Sequence, residues 1–413
     1  MKYSPVRCLA LFILVSSIAF GACSSGNSSG GTAGSGGNAG VGPGGNAGSG
    51  SGGAAGVAAG GSGGAGGPVT GVVAVSAGSD TACVLVTGGT VRCWGDNFYG
   101  AWGTGTAGGQ DLDLETSVKN LTGVTAISSG RDFACALMGG AVQCWGHNDS
   151  GQLGNGTTTD SATPVMVTGL TGVTAISAGT RSACAVVSGG AVQCWGGNTS
   201  GQLGNGTTTS SPTPVAVTGL TGATAISVDS LSACALLAGG TAQCWGGNTS
   251  GQLGNGTTTG SPTPVGVTAL TGATAISGDC ALMTGGAVQC WGGNASGQLG
   301  NGTTTSSPTP VTVTGLAGAV TAITSSEIGG FACALLTGGT VQCWGFNSAG
   351  QLGNGSTTDS STPVTVPGLA GVTAISAGDG FACAVLTGGT VDCWGGTDGY
   401  VVSSTTPVPL NKK

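Results

Sequence analysis

Charge is nearly missing from this chain. Asp, Glu, Lys and Arg together make up 6% of its 413 residues, against about a quarter in an average soluble domain. Lys and Arg number only 8 and the net charge is −7, so the clustered basic surface that holds nucleic acid is excluded. Histidine occurs once, as His147, which rules out a multi-histidine metal centre, and no Ser-His-Asp arrangement stands in a recognisable context. The glycine-rich phrases never end in the GK[ST] of a phosphate loop. No cofactor is expected. Aromatic residues are 4% of the chain, too few to carry a large core by themselves. The apolar run from Leu9 to Phe20 falls short of the ~20 residues that cross a bilayer as a helix.

What the chain has is glycine, 89 residues of it, and cysteine, 16 residues. Two regimes share the sequence. From Ser24 to Pro68 it is almost wholly Gly, Ser, Ala and Asn without an apolar period, which predicts a disordered tether with a mean span of roughly 35 to 40 Å. From Val69 onward one phrase recurs, clearest as SACAVVSGGAVQCWGGNTSGQLGNGTTT. Tryptophans at 94, 145, 195, 245, 291, 344 and 394 mark seven copies. A period near fifty residues signals an array of units that hide their apolar faces against one another. Each unit shows four strand-length runs bounded by turn residues, such as Pro164 to Val167, Thr174 to Ala178, Ala183 to Ser188 and Ala191 to Gly196. The fold expected is all-β: a seven-bladed propeller with four-stranded blades over residues 69–413. The first unit lacks the PVxV run that precedes the others, and Thr406 to Leu410 supplies one at the end of the chain. The C-terminal strand is therefore expected to complete the first blade and close the ring, because an open array would need polar caps.

Beyond Cys8 and Cys23, the cysteines fall into seven pairs: Cys83 with Cys93, Cys135 with Cys144, Cys184 with Cys194, Cys234 with Cys244, Cys280 with Cys290, Cys333 with Cys343, and Cys383 with Cys393. A three-residue hairpin loop such as Thr87, Gly88 and Gly89 sets Cys83 opposite Cys93. One pair is a residue closer, and a two-residue loop at Gly139 and Gly140 restores the same opposition. Directly opposed cysteines accept a disulfide in an oxidising compartment. The alternative, metal binding, lacks CxxC spacing and clustered histidines.

The segments VQCWGGNTSGQLGNG from Val192 and VQCWGFNSAGQLGNG from Val341 resemble the regulator of chromosome condensation repeat. That resemblance implies a seven-bladed propeller in which Trp145, its equivalents and the GQLG glycines are structural. A nucleotide-exchange or nucleosome-binding role, which belongs to the family's founding members, does not suit an exported acidic chain and would rest on fold analogy alone. The repeat also resembles the secreted bacterial propellers that inhibit β-lactamases. At the N-terminus, Lys2, Arg7 and the apolar run read as an export signal over residues 1–22. FGAC resembles the lipobox of bacterial lipoproteins, which implies lipidation of Cys23, with simple cleavage and secretion as the alternative.

The expected function is a non-catalytic binding or scaffold propeller at the bacterial cell envelope, on the outer membrane or cell surface. It would be monomeric, touch the membrane only through the lipid anchor, and recognise a protein or glycan. The alternative is a secreted enzyme inhibitor, with an envelope hydrolase further behind. Specificity is sought where the copies disagree: Asp96 to Glu115, the shortened Ser277 to Cys280, and the extended Thr324 to Phe331. Phe98 and Tyr99 replace Asp149 and Ser150 and form a candidate binding loop, with Trp102 at the Leu153 position expected in the core. Asp111, Asp113 and Glu115 form an acidic patch that lacks the pattern of an EF-hand. Asp80, Asp132, Asp279 and Asp379 recur at one turn position and are expected to shape it.

Overall fold

The computed structural model describes residues 69–111, 116–326, 328, 330–396 and 403–410. The export signal, Cys23 and the tether lie outside the described residues, as do Asp113 and Glu115. The described chain forms seven four-stranded antiparallel sheets in a ring, each made of consecutive strands. The first blade comprises β1 Val72–Ala77, β2 Thr81–Val86, β3 Thr90–Asp96 and β4 Gln110–Asp111. The other six span 124–166, 173–216, 223–266, 273–312, 320–365 and 372–409. No helix among the described residues is long and apolar enough to cross a membrane.

The position of each strand within its blade follows from its composition. The second strand, SACAVV at Ser182–Val187, is buried along most of its length because neighbouring blades cover both of its faces. The fourth, SATPVM at Ser161–Met166, is half-buried and carries Pro164. Proline lacks the N–H that a central strand must donate, so it belongs on a sheet edge. The apolar cores lie between blades. Trp195 of the third blade shares one with Phe133 and Leu153 of the second.

The hairpins have the expected register. Residues 87–89 separate β2 from β3, and Gly139 and Gly140 alone separate Phe133–Met138 from Ala141–Gly146. Cys83 faces Cys93 and Cys135 faces Cys144. All seven pairs are disulfide-bonded, with Cα atoms 4.0 to 4.1 Å apart. Closing an eleven-residue loop in the unfolded chain is worth about 2.7 kcal/mol by loop entropy.

The phase of the repeat differs from the one expected. Each PVxV run is the outer strand of the blade before it, not the first strand of the blade after it: Cys194 pairs with Val215 and Gln193 with Ala216. The long loop after the third strand turns the chain back on itself, which is what an antiparallel partner needs. Ser404–Pro409 accordingly pairs with Val391–Gly395 in the seventh blade, and the first blade draws its fourth strand from its own Gln110–Asp111. The C-terminal strand still lies at the closure of the ring. Leu410 accepts a hydrogen bond from the Val69 N–H at 3.4 Å and shares a core with Val69, Val72 and Val391.

A girdle of hydroxyl groups ties the blades at the hub. Ser76, Ser128, Ser177, Ser227, Ser277, Thr324 and Ser376 each stand near the end of an innermost strand. Each accepts a backbone N–H from the next blade: Ser129, Ala178, Val228, Gly278, Ser325, Ala377 and, across the closure, Ala77, at 2.8 to 3.1 Å. Every blade therefore holds its neighbour by the same bond, with no gap in the circle. The space these residues line on the axis is about 30 Å³, a water-sized volume.

Candidate functional site

Two kinds of connection emerge on one face of the ring: the turns after the innermost strands and the long loops after the third strands. The Asp132 carbonyl accepts the His147 N–H at 2.9 Å, joining the two within one blade. The asparagine of the WGxN phrase organises the long loop in each of the first six blades. Asn148 is buried, donates to the carbonyls of Thr157 and Thr159 at 3.1 and 2.9 Å, and accepts the Leu153 N–H at 2.9 Å. Such a loop then reaches the next blade, where the Gln152 carbonyl accepts Trp195 Nε1–H at 2.9 Å. At Gly154 a side chain could not fit, because a Cβ there would stand 2.8 Å from the Trp195 ring and φ is +68°. The repeated phrase is thus scaffold.

Against that uniform scaffold, blades one to three carry an aromatic and ionic cluster. Phe98 is 71% exposed and meets the edge of Tyr99 at 5.3 Å, while Tyr99 stacks on His147 with ring centres 4.0 Å apart. Asp149 lies 3.7 Å from His147 and 3.3 Å from Arg181. Burial pushes the Asp149 carboxyl up, but the Ser150 hydrogen bond and the neighbouring His147 and Arg181 pull it below its ordinary range. Ser150 donates to Asp149 at 2.9 Å. Serine and histidine therefore both turn to the carboxylate, whereas a hydrolytic triad needs the histidine between them. Trp102 is only partly buried and donates Nε1–H to the Gly95 carbonyl at 3.1 Å. Asp111 lies in β4.

The turn aspartates do more than shape turns. Asp80, Asp132, Asp279 and Asp379, from four blades, occupy this face together with Asp229, which sequence reasoning did not single out because its stretch matches its neighbours in length. Arg131 lies 3.6 Å from Asp80 and 3.7 Å from Asp132. Even so, Asp132 is pushed up to about 7 by burial and by Asp80, which together outweigh the arginine. Asp379 is raised chiefly by burial. Asp229 is pushed up to about 7 by burial and then by Asp379, and Asp279 is driven well above the carboxylate range by burial and by Asp229.

The structure brings the shortened and extended stretches together. In the fourth blade Ser227 faces Cys234, whereas in the fifth Ser277 already faces Cys280. The missing rungs leave a cavity of about 180 Å³ walled by Asp229, Gln252, Asp279, Trp291, Leu299 and Phe331. The longer sixth-blade turn arches beside it, with Ser325 N–H on Ser277 Oγ at 3.1 Å and Ile328 N–H on Asp379 at 3.2 Å. Phe98 and Tyr99 belong to the other cluster, so the divergent stretches make two separate places. Among the described residues no group of three or more His, Cys, Asp or Glu is placed to hold a metal ion.

Models of the Regulator of chromosome condensation (RCC1) repeat match residues 139–186, 189–230, 285–336 and 338–385, and a second model of the same repeat matches 72–101, 173–202 and 372–400. Human E3 ubiquitin-protein ligase HERC2 is 37% identical over 100 residues, 24% of this chain and 2% of that protein. The Ultraviolet-B receptor UVR8 of Arabidopsis thaliana is 36% identical over 100 residues, 23% of this chain and 22% of the receptor. The matched stretch is thus a small part of each relative. Among solved structures, Prp20p of Saccharomyces cerevisiae superposes with a TM-score of 0.66 at 17% identity, covering 79% of this chain and 83% of that one. Human WBSCR16 gives 0.61 at 20% identity, covering 74% and 85%. At these identities the superpositions speak for the fold. Seven repeats, seven four-stranded blades and repeat matches across more than half of the sequence show that this chain belongs to the regulator of chromosome condensation repeat family.

Proposed function

We propose that the chain is a non-catalytic binding propeller, exported to the bacterial cell envelope and held there through Cys23, that presents its loop face to a protein or glycan. The observation that carries this is the placement of difference. The repeated residues form hairpins, inter-blade cores and the hub, while Phe98, Tyr99, His147, Asp149 and Arg181 gather on one face around an exposed ring. Exposed aromatics beside charged groups are the composition of binding hot spots. Seven disulfides fit a chain that folds in an oxidising space. A tether of 45 residues reaches at most about 150 Å, ample to hold a propeller clear of a membrane.

The test is capture from envelope extracts by the exported protein and by a Phe98→Ala/Tyr99→Ala variant. A partner held by the first and lost by the second supports the reading. Equal capture of every species removes the aromatic face from it. Incorporation of labelled fatty acid, lost in Cys23→Ala, tests the anchor separately.

A further inference from the structure

The cavity of the fourth to sixth blades holds two acidic groups and no basic one. Asp229 and Asp279 both line it, and among the described residues no ion pair reaches either of them. Arg181, from the adjoining third blade, is engaged by Asp149 at 3.3 Å. Asp279 Oδ1 is buried and accepts no hydrogen bond, and such an atom costs free energy until a donor reaches it. Asp229 lies against the backbone of the fifth-blade turn: a Cβ on Gly278 would stand 3.3 and 3.4 Å from its two carboxylate oxygens. The remaining walls are mixed: the glutamines and serines of the loops and turns stand beside an apolar part made by Trp291, Leu299 and Phe331, which are almost wholly buried behind the opening, with Ile328 exposed beside it. At about 180 Å³ the space exceeds an engineered cavity of about 150 Å³ that takes benzene. An aliphatic stem ending in a cation matches this arrangement, because its methylenes suit the apolar part of the wall and its head supplies donors to the carboxylates.

We propose that this cavity is a socket for one lysine or arginine side chain of a partner polypeptide, with its stem along Trp291, Leu299 and Phe331 and its cationic head on Asp229 and Asp279. The proposal rests on the binding role of the loop face and names the chemistry recognised there. Burial raises both carboxyls of the cavity, Asp229 to about 7 with help from Asp379 and Asp279 well above its ordinary value with help from Asp229, so an arriving cation must displace protons. Binding is therefore tighter at pH 8 than at pH 5.5.

The exported protein is titrated with acetyl-arginine amide, acetyl-lysine amide and acetyl-norleucine amide while the Trp291 indole N–H resonance is followed. That N–H sits on the Gln252 carbonyl at 2.8 Å in the cavity wall. The expected result is a saturable shift with both cationic probes and none with norleucine. Affinity should fall at least tenfold in Asp279→Asn or Asp229→Asn, and at pH 5.5 in the unaltered protein, and stay unchanged in Asp392→Asn, on the third strand of the seventh blade. Equal shifts with norleucine, or full affinity in the Asp229→Asn/Asp279→Asn variant, overturn the proposal. The pH comparison decides the matter should those variants fail to fold. Cadaverine binding more tightly than acetyl-lysine amide would assign the cavity to free amines and overturn the polypeptide source. Failure of the cationic probes alongside intact Phe98-dependent capture sinks the socket alone.

Discussion

Trp195 and Trp94 occupy the same place in their blades, are equally buried, and differ in one bond. Trp195 donates to the Gln152 carbonyl of the preceding blade at 2.9 Å. So, in turn, do Trp145, Trp245, Trp291, Trp344 and Trp394, each to the loop of the blade before, at 2.8 to 2.9 Å. Trp94 Nε1 has no acceptor among the described residues. In sequence, the seventh unit reads WGGTDGYVV where units two to six carry GQLGNG and the first carries GAWGTG, and residues 397–402 lie outside the described residues. The same six loops also donate to the next outer strand, as Gly156 N–H does to the Pro212 carbonyl at 2.9 Å. At the closure the hub bond from Ala77 to Ser376 and the hairpin bond from Val72 to Gly389 remain. Among the described residues the ring is therefore uniformly tied at its centre, while a tryptophan bond fastens six junctions of its rim and none fastens the seventh.

Several measurements would break or sharpen that contrast. The largest effect comes from reducing and alkylating the disulfides, which acts on all blades alike and should cost on the order of 10 kcal/mol of stability. An unchanged denaturation midpoint would mean that the hairpins are not cross-linked. Removing residues 404–413 deletes the outer strand of the seventh blade and Leu410, acting on the closure alone. It should lower the Tm by more than about 5 °C, with hydrogen exchange accelerated first in the first and seventh blades. The sharper comparison is Trp195→Phe against Trp94→Phe. Both lose similar volume, but only the first strands a buried carbonyl, so it should cost about 1 to 3 kcal/mol more in a denaturant titration. Equal costs would show that the missing bond does not matter.

The smallest effect lies away from the closure. Asp229 titrates at about 7 when folded against an ordinary 3.8, so the native state binds its proton more tightly than the unfolded chain does. That contribution stabilises the fold as pH falls from about 7 towards 4, and the penalty is complete above 7. Asp229→Asn should thus raise the Tm by a degree or more at pH 8 and much less at pH 5. A larger gain at pH 5 would reverse the assigned sign.

Much of this architecture was legible because one phrase repeats. The tryptophan spacing counted the blades, and the single nine-residue cysteine interval at Cys135 and Cys144 fixed the hairpin register. The phase was not legible: TPVxV lies between two units, and only its pairing with the preceding third strand assigns it. The hub hydroxyls sat in plain view at the end of TAIS and its variants VAVS and TAIT, yet periodicity cannot say which hydroxyl accepts from the next blade. Disagreement between copies located the cavity at Ser277 to Cys280 and Thr324 to Phe331. It could not find Asp229, whose place beside Gly278 depends on the angle between blades. Trp102 likewise follows the Leu153 position in sequence but is too large for the same burial.

Val69 and Leu410 meet at the closure, so the described chain enters and leaves the ring at the same junction. Tension arriving along the backbone from the N-terminal side would load the junction at which, among the described residues, no tryptophan bond is made, peeling β1 from the seventh blade before stressing any disulfide. The seven hairpins would hold their own shape while the circle opened. Mechanically the described ring is a bracelet whose clasp lies where Val69 meets Leu410.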